Sequence, residues 1–267
     1  MKAIRIYAIF LRQFYLIRDN VTRFFQIFIW ITVDIALWGF LSKYLSGATE
    51  STLSFIPLFL GAVLLWDFLI QVMQGISMSF FEDAWSHNFL NIFASPLRIS
   101  EYVTGLALSG IARSILALVV MLTLATIIFG FSVFTYGVSL IFFLSILFLF
   151  GIALGIFGIS IVLRLGPSAE WFVWPIPAVL SPFVGVFYPL STLPQWMQFV
   201  GHILPPSYVF SGIRGIVNGE ALSIQTLIFG IVLSLVYIAV AYGIFVLAYR
   251  RVVRTGLIIR YSAENLS

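Results

Sequence analysis

The sequence predicts an all-α integral membrane protein of six transmembrane helices, and three observations carry that prediction. Its 267 residues are 61% hydrophobic and 9% charged, with a mean hydropathy of +1.11, whereas soluble chains carry about 25% charge. Six apolar stretches, 24–45, 55–79, 103–129, 138–163, 171–189 and 223–248, are each long enough to cross a hydrocarbon core of about 30 Å. The third observation is where the 24 charges sit. Only Asp34, Lys43, Asp67 and Arg113 fall inside those stretches, and Lys43, near an end, can extend its cation to the interface.

The connections set the orientation. Lys2, Arg5, Arg12, Arg18, Arg23, Arg98, Arg164, Arg250, Arg251, Arg254 and Arg260 lie on one side of the six spans and Arg214 alone on the other. The positive-inside rule therefore puts both termini in the cytoplasm, which an even number of spans also requires.

Residues 1–23 read as an amphipathic helix lying in the cytoplasmic interface. Arg5, Arg12, Asp19 and Arg23 form one stripe at about 100° per residue, flanked by Lys2 and Gln13, with Ile4, Ile6, Phe10, Phe14 and Ile17 spread over the rest. A charged extension of the first span is the other reading. No cleavable signal peptide is read there, because charge interrupts the stretch and no small-residue site follows a short apolar core. Residues 24–267 then form a single six-span domain.

Several chemistries are disfavoured. Without cysteine there is no disulfide framework or thiolate site, and two histidines, His87 and His202, leave little for a metal. No G-x-x-x-x-G-K-[ST] phosphate cradle is present, so ATP hydrolysis is not expected of the chain itself. Both histidines fall in loops, leaving no base for an intramembrane serine, and Asp34 and Asp67 lack an aspartyl-protease setting. The basic pI of 9.5 reflects cytoplasmic-loop cations, and no nucleic-acid partner is expected.

Two loops carry more information. FFEDAWSHNFLNIFASPLRISEY (80–102) sets Phe81, Trp85, Phe89, Ile92 and Phe93 against Glu82, Asp83, His87 and Asn88 and closes at Ser95-Pro96. This short cytoplasmic helix either docks in a groove of a soluble partner or lies in the interface. PLSTLPQWMQFVGHILPPSYVFSGIRGIVNGEAL (189–222) offers Thr192 as a cap for a helix beginning around Leu193-Pro194. Pro205-Pro206 breaks it, and a second piece over 208–217 ends at Asn218-Gly219. Neither piece can span, so the pair suits an outward re-entrant hairpin, or else a surface cap.

At these loops the chain resembles the permease subunits of ABC transporters of the ABC-2 type, a family of exporters of drugs, lipids and lipid-linked glycans. LNIFASPLRISEYVTG (90–105) and FYPLSTLPQWMQFVGHILPPSYVFSGIRGIV (187–217) carry the resemblance, which extends over essentially the whole chain. It implies that the stretch matching 82–93 is a coupling helix entering a cleft on a separate ABC ATPase subunit, with Glu82, Asp83, Trp85, His87, Asn88 and Phe89 as its contact residues. It implies two permease copies with two ATPase subunits in a prokaryotic cytoplasmic membrane, ATP and Mg held by the partner, and no cofactor in this chain. Around 191–217 it implies an external gate, for which Tyr188, Pro189, Leu193, Pro194, Trp196, Pro205 and Pro206 are the candidate residues. A membrane anchor that recruits a cytoplasmic ATPase complex without moving solute is the alternative.

Asp34, Asp67 and Arg113 fall at similar depth, Arg113 about 15 Å into its span at 1.5 Å per residue. Unpaired charge there costs at least about 3 kcal/mol, so Arg113 is expected to pair with Asp34, Asp67 or both. A clamp on the first three spans and a lining for the substrate path are both open. Gly151-x3-Gly155, with Gly158 a turn later, gives the fourth span a small-residue face for close helix approach.

Overall fold

A computed structural model describes residues 2–18, 21–48, 56–86, 92, 95–220 and 223–255. Its elements are helical, with no strand among the described residues. Helix α1 (Ala3–Arg18) is followed by α2 (Val21–Ala48). A π turn at Ile56–Leu60 leads into α3 (Gly61–Trp85). Two long helices follow, α4 (Ile99–Phe129) and α5 (Ser139–Leu165). Next come the short α6 (Glu170–Val173), α7 (Ile176–Val184), α8 (Gln195–Ile203) and α9 (Pro206–Val217), and then α10 (Ile224–Thr255).

Among the described residues four helices are long and apolar enough to cross a membrane, over Leu58–Asp83, Ile99–Phe129, Ser139–Leu165 and Ile224–Thr255. They match four of the six expected spans, and α2 overlaps a fifth, running past 24–45 at both ends. The stretch 171–189 departs from expectation. It is not one helix but α6 and α7 joined at Trp174-Pro175, with Pro182 inside α7 and Gly185 at φ 68° closing it. Proline donates no N–H and crowds the preceding turn, so the fifteen residues from 170 to 184 extend about 22 Å at 1.5 Å each, short of a full crossing.

Helix α3 is the axis. Of its most apolar window 72% is buried, against 22% for α4 and for α10, and Leu69, Val72 and Ile76 have no exposed surface. Small residues set its two contacts. Gly75 meets Gly110 of α4 so closely that a Cβ on Gly110 would lie 2.8 Å from the Gly75 carbonyl carbon. On the other side Gly151 and Gly155 of α5 take Val72 and Ile76, and Ser77 Oγ donates to the Gly155 carbonyl at 3.3 Å. The expected small-residue face of the fourth span is therefore a seat for α3. Further along α5, Gly230 of α10 lies against Ile146, and Ser234 Oγ donates to the Ile146 carbonyl at 3.3 Å.

Helix ends follow local rules. Gly130, left-handed at φ 65°, closes α4 with its N–H on the Thr126 carbonyl while the Phe131 N–H reaches Ala125. Nothing between Ser77 and Trp85 breaks the helical run. In consequence α3 continues through Glu82 and Asp83, and these two acids form its last turn where a separate short helix was expected.

Candidate functional site

Helix α1, the C-terminal end of α3 and the N-terminal end of α4 are joined by a buried polar junction. Asp83 is wholly buried. Its Oδ2 accepts from Arg12 Nη1 at 3.0 Å and from the Tyr102 hydroxyl at 2.7 Å, and its Oδ1 faces Arg12 Nη2. About two turns of α1 away, Arg5 pairs with Glu101 at 3.3 Å. Glu101 also accepts the backbone N–H groups of Lys2 at 2.7 Å and Arg98 at 3.1 Å. The Arg98 contact is half of a capping box, in which the acid at the third helical position satisfies the N-cap donor. Ile9 fills the space between the two ion pairs, its side chain against Gly105.

This junction fixes which way the charged stripe of α1 turns. The polar stripe is Arg5, Arg12 and Gln13, and it faces the protein, while Ile4, Tyr7, Phe14 and Tyr15 are exposed. A helix in the membrane interface gains by turning its apolar side to lipid, and the two acids give its cations a partner on the other side. Asp19 lies outside the described residues, as does the side chain of Arg23.

Asp83 is accordingly not an outward-facing group. The sequence expectation placed it against a partner, but its carboxylate is taken up inside the chain by Arg12 and Tyr102, which offset the desolvation of a buried charge. Glu82 is half-buried and acts electrostatically on Arg12. Trp85 is 45% exposed, stacks at a tilt on Phe81 with centroids 6.4 Å apart, and lies beside Glu170 at the start of α6. Burial pushes the Glu170 carboxyl above the usual range, and the neighbouring Trp85 indole pulls it back. The expected contact residues His87, Asn88 and Phe89 lie outside the described residues.

At the opposite end α8 and α9 form the expected pair of short helices, with Pro205-Pro206 buried between them. Thr192 does not cap α8. Its hydroxyl donates instead to the Pro189 carbonyl at 2.7 Å within a 3-10 turn. Arg214, which sequence reasoning used only to count charge, holds the hairpin together. It donates to the carbonyls of Phe210 at 3.0 Å and Tyr188 at 2.5 Å and also to that of Gly185. The Tyr188 hydroxyl donates back to Pro182 at 3.0 Å. Trp196 and Pro194 are exposed, Pro189 is exposed, and Leu193 is half-buried, its carbonyl taking Gln198 Nε2 at 2.8 Å. Trp38 of α2 stacks on Phe187 at 4.9 Å, and Trp66 of α3 meets Phe210 of α9 edge-on at 5.9 Å.

The intramembrane residues lie on three helices, Asp34 on α2, Asp67 on α3 and Arg113 on α4, and all are half-buried. Asp34 acts electrostatically on Asp67. Asp67 Oδ2 is buried without a hydrogen-bond partner among the described residues.

These features define a multi-pass helical membrane protein in which one central helix, α3, runs from the α1 junction to the α8–α9 hairpin. A family model, ABC-2 type transporter, matches residues 5–218, and the chain belongs to that family. Its members are transport domains with no ATPase site of their own, and they generally work with an ABC ATPase. No curated protein matches the chain significantly.

Proposed function

We propose that the chain is the transmembrane permease subunit of an ATP-driven exporter. It pairs with a separate ATPase subunit that binds ATP and Mg, and moves an amphipathic substrate out of the cytoplasm. The reading rests on family membership and on one observation, that α3 carries Asp83 at one end and Trp66 at the other. Those residues are seventeen positions apart, about 26 Å along a helix, and they touch the α1 junction and the outward hairpin respectively.

A push on the cytoplasmic end of α3 reaches the hairpin through close contacts with its two neighbouring helices. Gly75 on Gly110, and Gly151 and Gly155 on Val72 and Ile76, leave no slack to absorb it, since packed interiors shift between arrangements and do not deform freely. Trp85 and Glu82 are the described residues on which a partner bears, and the Arg12–Asp83 pair passes the motion to α1. Arg214 holds the hairpin as one piece, so the hairpin moves as a gate. Two copies face each other, each with one ATPase, in a prokaryotic cytoplasmic membrane with both termini inside. Six crossings require α6 and α7 to complete the fifth together with the turn that follows.

The test is co-expression and purification with a candidate ABC ATPase subunit and reconstitution into vesicles. ATP-dependent loading of a lipid-like or drug-like solute is expected, with Trp85→Ala lowering loading and the chain's effect on ATP turnover together. A pair that hydrolyses ATP, keeps its turnover in Trp85→Ala and loads nothing is a scaffold.

A further inference from the structure

Helices α5 and α10 line a groove of 530 Å³. Its walls repeat one pattern. Phe157, Ile161 and Arg164 on α5, and Ile244, Ala248 and Arg251 on α10, each place two apolar residues a turn apart and an arginine one turn beyond. The same spacing on both helices puts the apolar residues in a trough and the two guanidinium groups at one mouth. That mouth is cytoplasmic by charge, since Arg250 and Arg254 flank Arg251. Among the described residues no acid lines the groove, and their one hydroxyl there, Ser160, is already donated to the Ile156 carbonyl at 2.8 Å.

We infer that this groove is a binding site for an anionic phospholipid of the cytoplasmic leaflet, with acyl chain between α5 and α10 and phosphate on Arg164 and Arg251. Arginine presents a planar fork that matches phosphate oxygens, and basic pockets between transmembrane helices on the cytoplasmic side suit such headgroups. A free phosphate gains nothing from the apolar trough. A second copy of the chain docked face to face would set Arg164 and Arg251 against their own equivalents, because a two-fold contact pairs a patch with itself. The site is independent of the transport reading, and its test needs no ATPase.

The full-length protein is equilibrated with equimolar phosphatidylglycerol and phosphatidylcholine, and the lipids it retains are counted by native mass spectrometry. Preferential retention of phosphatidylglycerol is expected, falling about tenfold in R164Q/R251Q, since each cation near an anionic surface contributes to the attraction. R250Q/R254Q is expected to keep the preference. Equal retention of both lipids by the unaltered protein overturns the site, and that arm depends on no variant folding. So does an equal loss in R250Q/R254Q, which makes the effect one of diffuse charge. Displacement of the retained lipid by inorganic phosphate, or a change of oligomeric state in R164Q/R251Q, assigns the groove to a free anion or a second copy and overturns it too.

Discussion

Arg12 and Asp83 lie 71 residues apart in sequence and meet in a two-pronged ion pair that ties α1 to the last turn of the central helix α3. Asp83 is fully buried while Arg12 retains part of its exposure, so the pair is asymmetric. Removing the cation strands a charge inside the protein, whereas removing the acid frees a guanidinium that can reach water.

For this pair, Arg12→Ala is expected to cost about 3 kcal/mol, in the range for breaking a buried ion pair. Asp83→Asn should cost less. The double change Arg12→Met with Asp83→Leu should recover most of the loss, because apolar replacement leaves no stranded charge. Thermal unfolding of the detergent-solubilised protein reads all three, and an Arg12→Ala midpoint equal to the parent's contradicts the account.

At the α3–α4 crossing, Gly110→Ala is expected to cost about 1–3 kcal/mol by overpacking. Its new Cβ would meet Gly75 backbone atoms, which no rotamer change relieves. Gly243 has nothing within 4 Å of a Cβ, so Gly243→Ala should stabilise α10 by about 0.5–1 kcal/mol through backbone entropy. Opposite shifts in unfolding temperature are the expected signature.

In the outward hairpin, Arg214→Gln should release the Gly185 and Tyr188 carbonyls. Amide exchange over 186–193 is expected to rise while exchange in α5 stays unchanged. Arg214→Lys should not restore protection, since one ammonium on a flexible stem cannot reach three carbonyls held by a planar fork. Restored protection in the lysine variant would argue that charge alone matters there.

For the intramembrane residues, pairing of Arg113 with an acid is our proposal. Arg113→Leu should lower the yield of folded protein, and adding Asp34→Asn or Asp67→Asn should partly restore it, because each removes a charge that has lost its counter-ion. If neither acid change restores yield, pairing is refuted.

Glu170 supplies a pH test. Its carboxyl is raised in the fold by burial, so folding favours its protonated form. The resulting destabilisation is absent below the ordinary carboxyl pKa of about 4.3 and grows as pH rises through and above it. Glu170→Gln, which keeps an acceptor beside Trp85, should therefore raise the unfolding midpoint near neutral pH and match the parent near pH 4. A constant offset across that range would point to packing instead.

Much of the architecture was legible because its signals are local. Apolar length announced four of the crossings, the Gly151-x3-Gly155 face announced a close helix contact, and Pro205-Pro206 with Asn218-Gly219 bounded the outward helices. The break at Trp174-Pro175 was legible too, in Pro175, Pro177 and Pro182, but mean hydropathy over 171–189 outweighed them. Tyr102 and Glu101 could have been found only in part. Glu101 follows Arg98 at capping-box spacing, whereas nothing near Tyr102 signals a hydroxyl committed to Asp83.

What the sequence determined by itself was the solvent. With so few charges and such long apolar runs, the chain must satisfy its backbone inside helices within lipid, and the asymmetry of its cations is what the proposed orientation rests on. What only the tertiary structure decided was which way the charged faces turn. Periodicity places Arg5 and Arg12 on one side of α1 and the acids at the ends of α3 and α4, but a helical repeat is silent about what lies across from it. Only the approach of α1 to α4 at Gly105, and of α3 to α4 at Gly75 and Gly110, brings those cations onto Asp83 and Glu101. That approach joins a charged stripe and an acid expected on a docking helix into one buried junction.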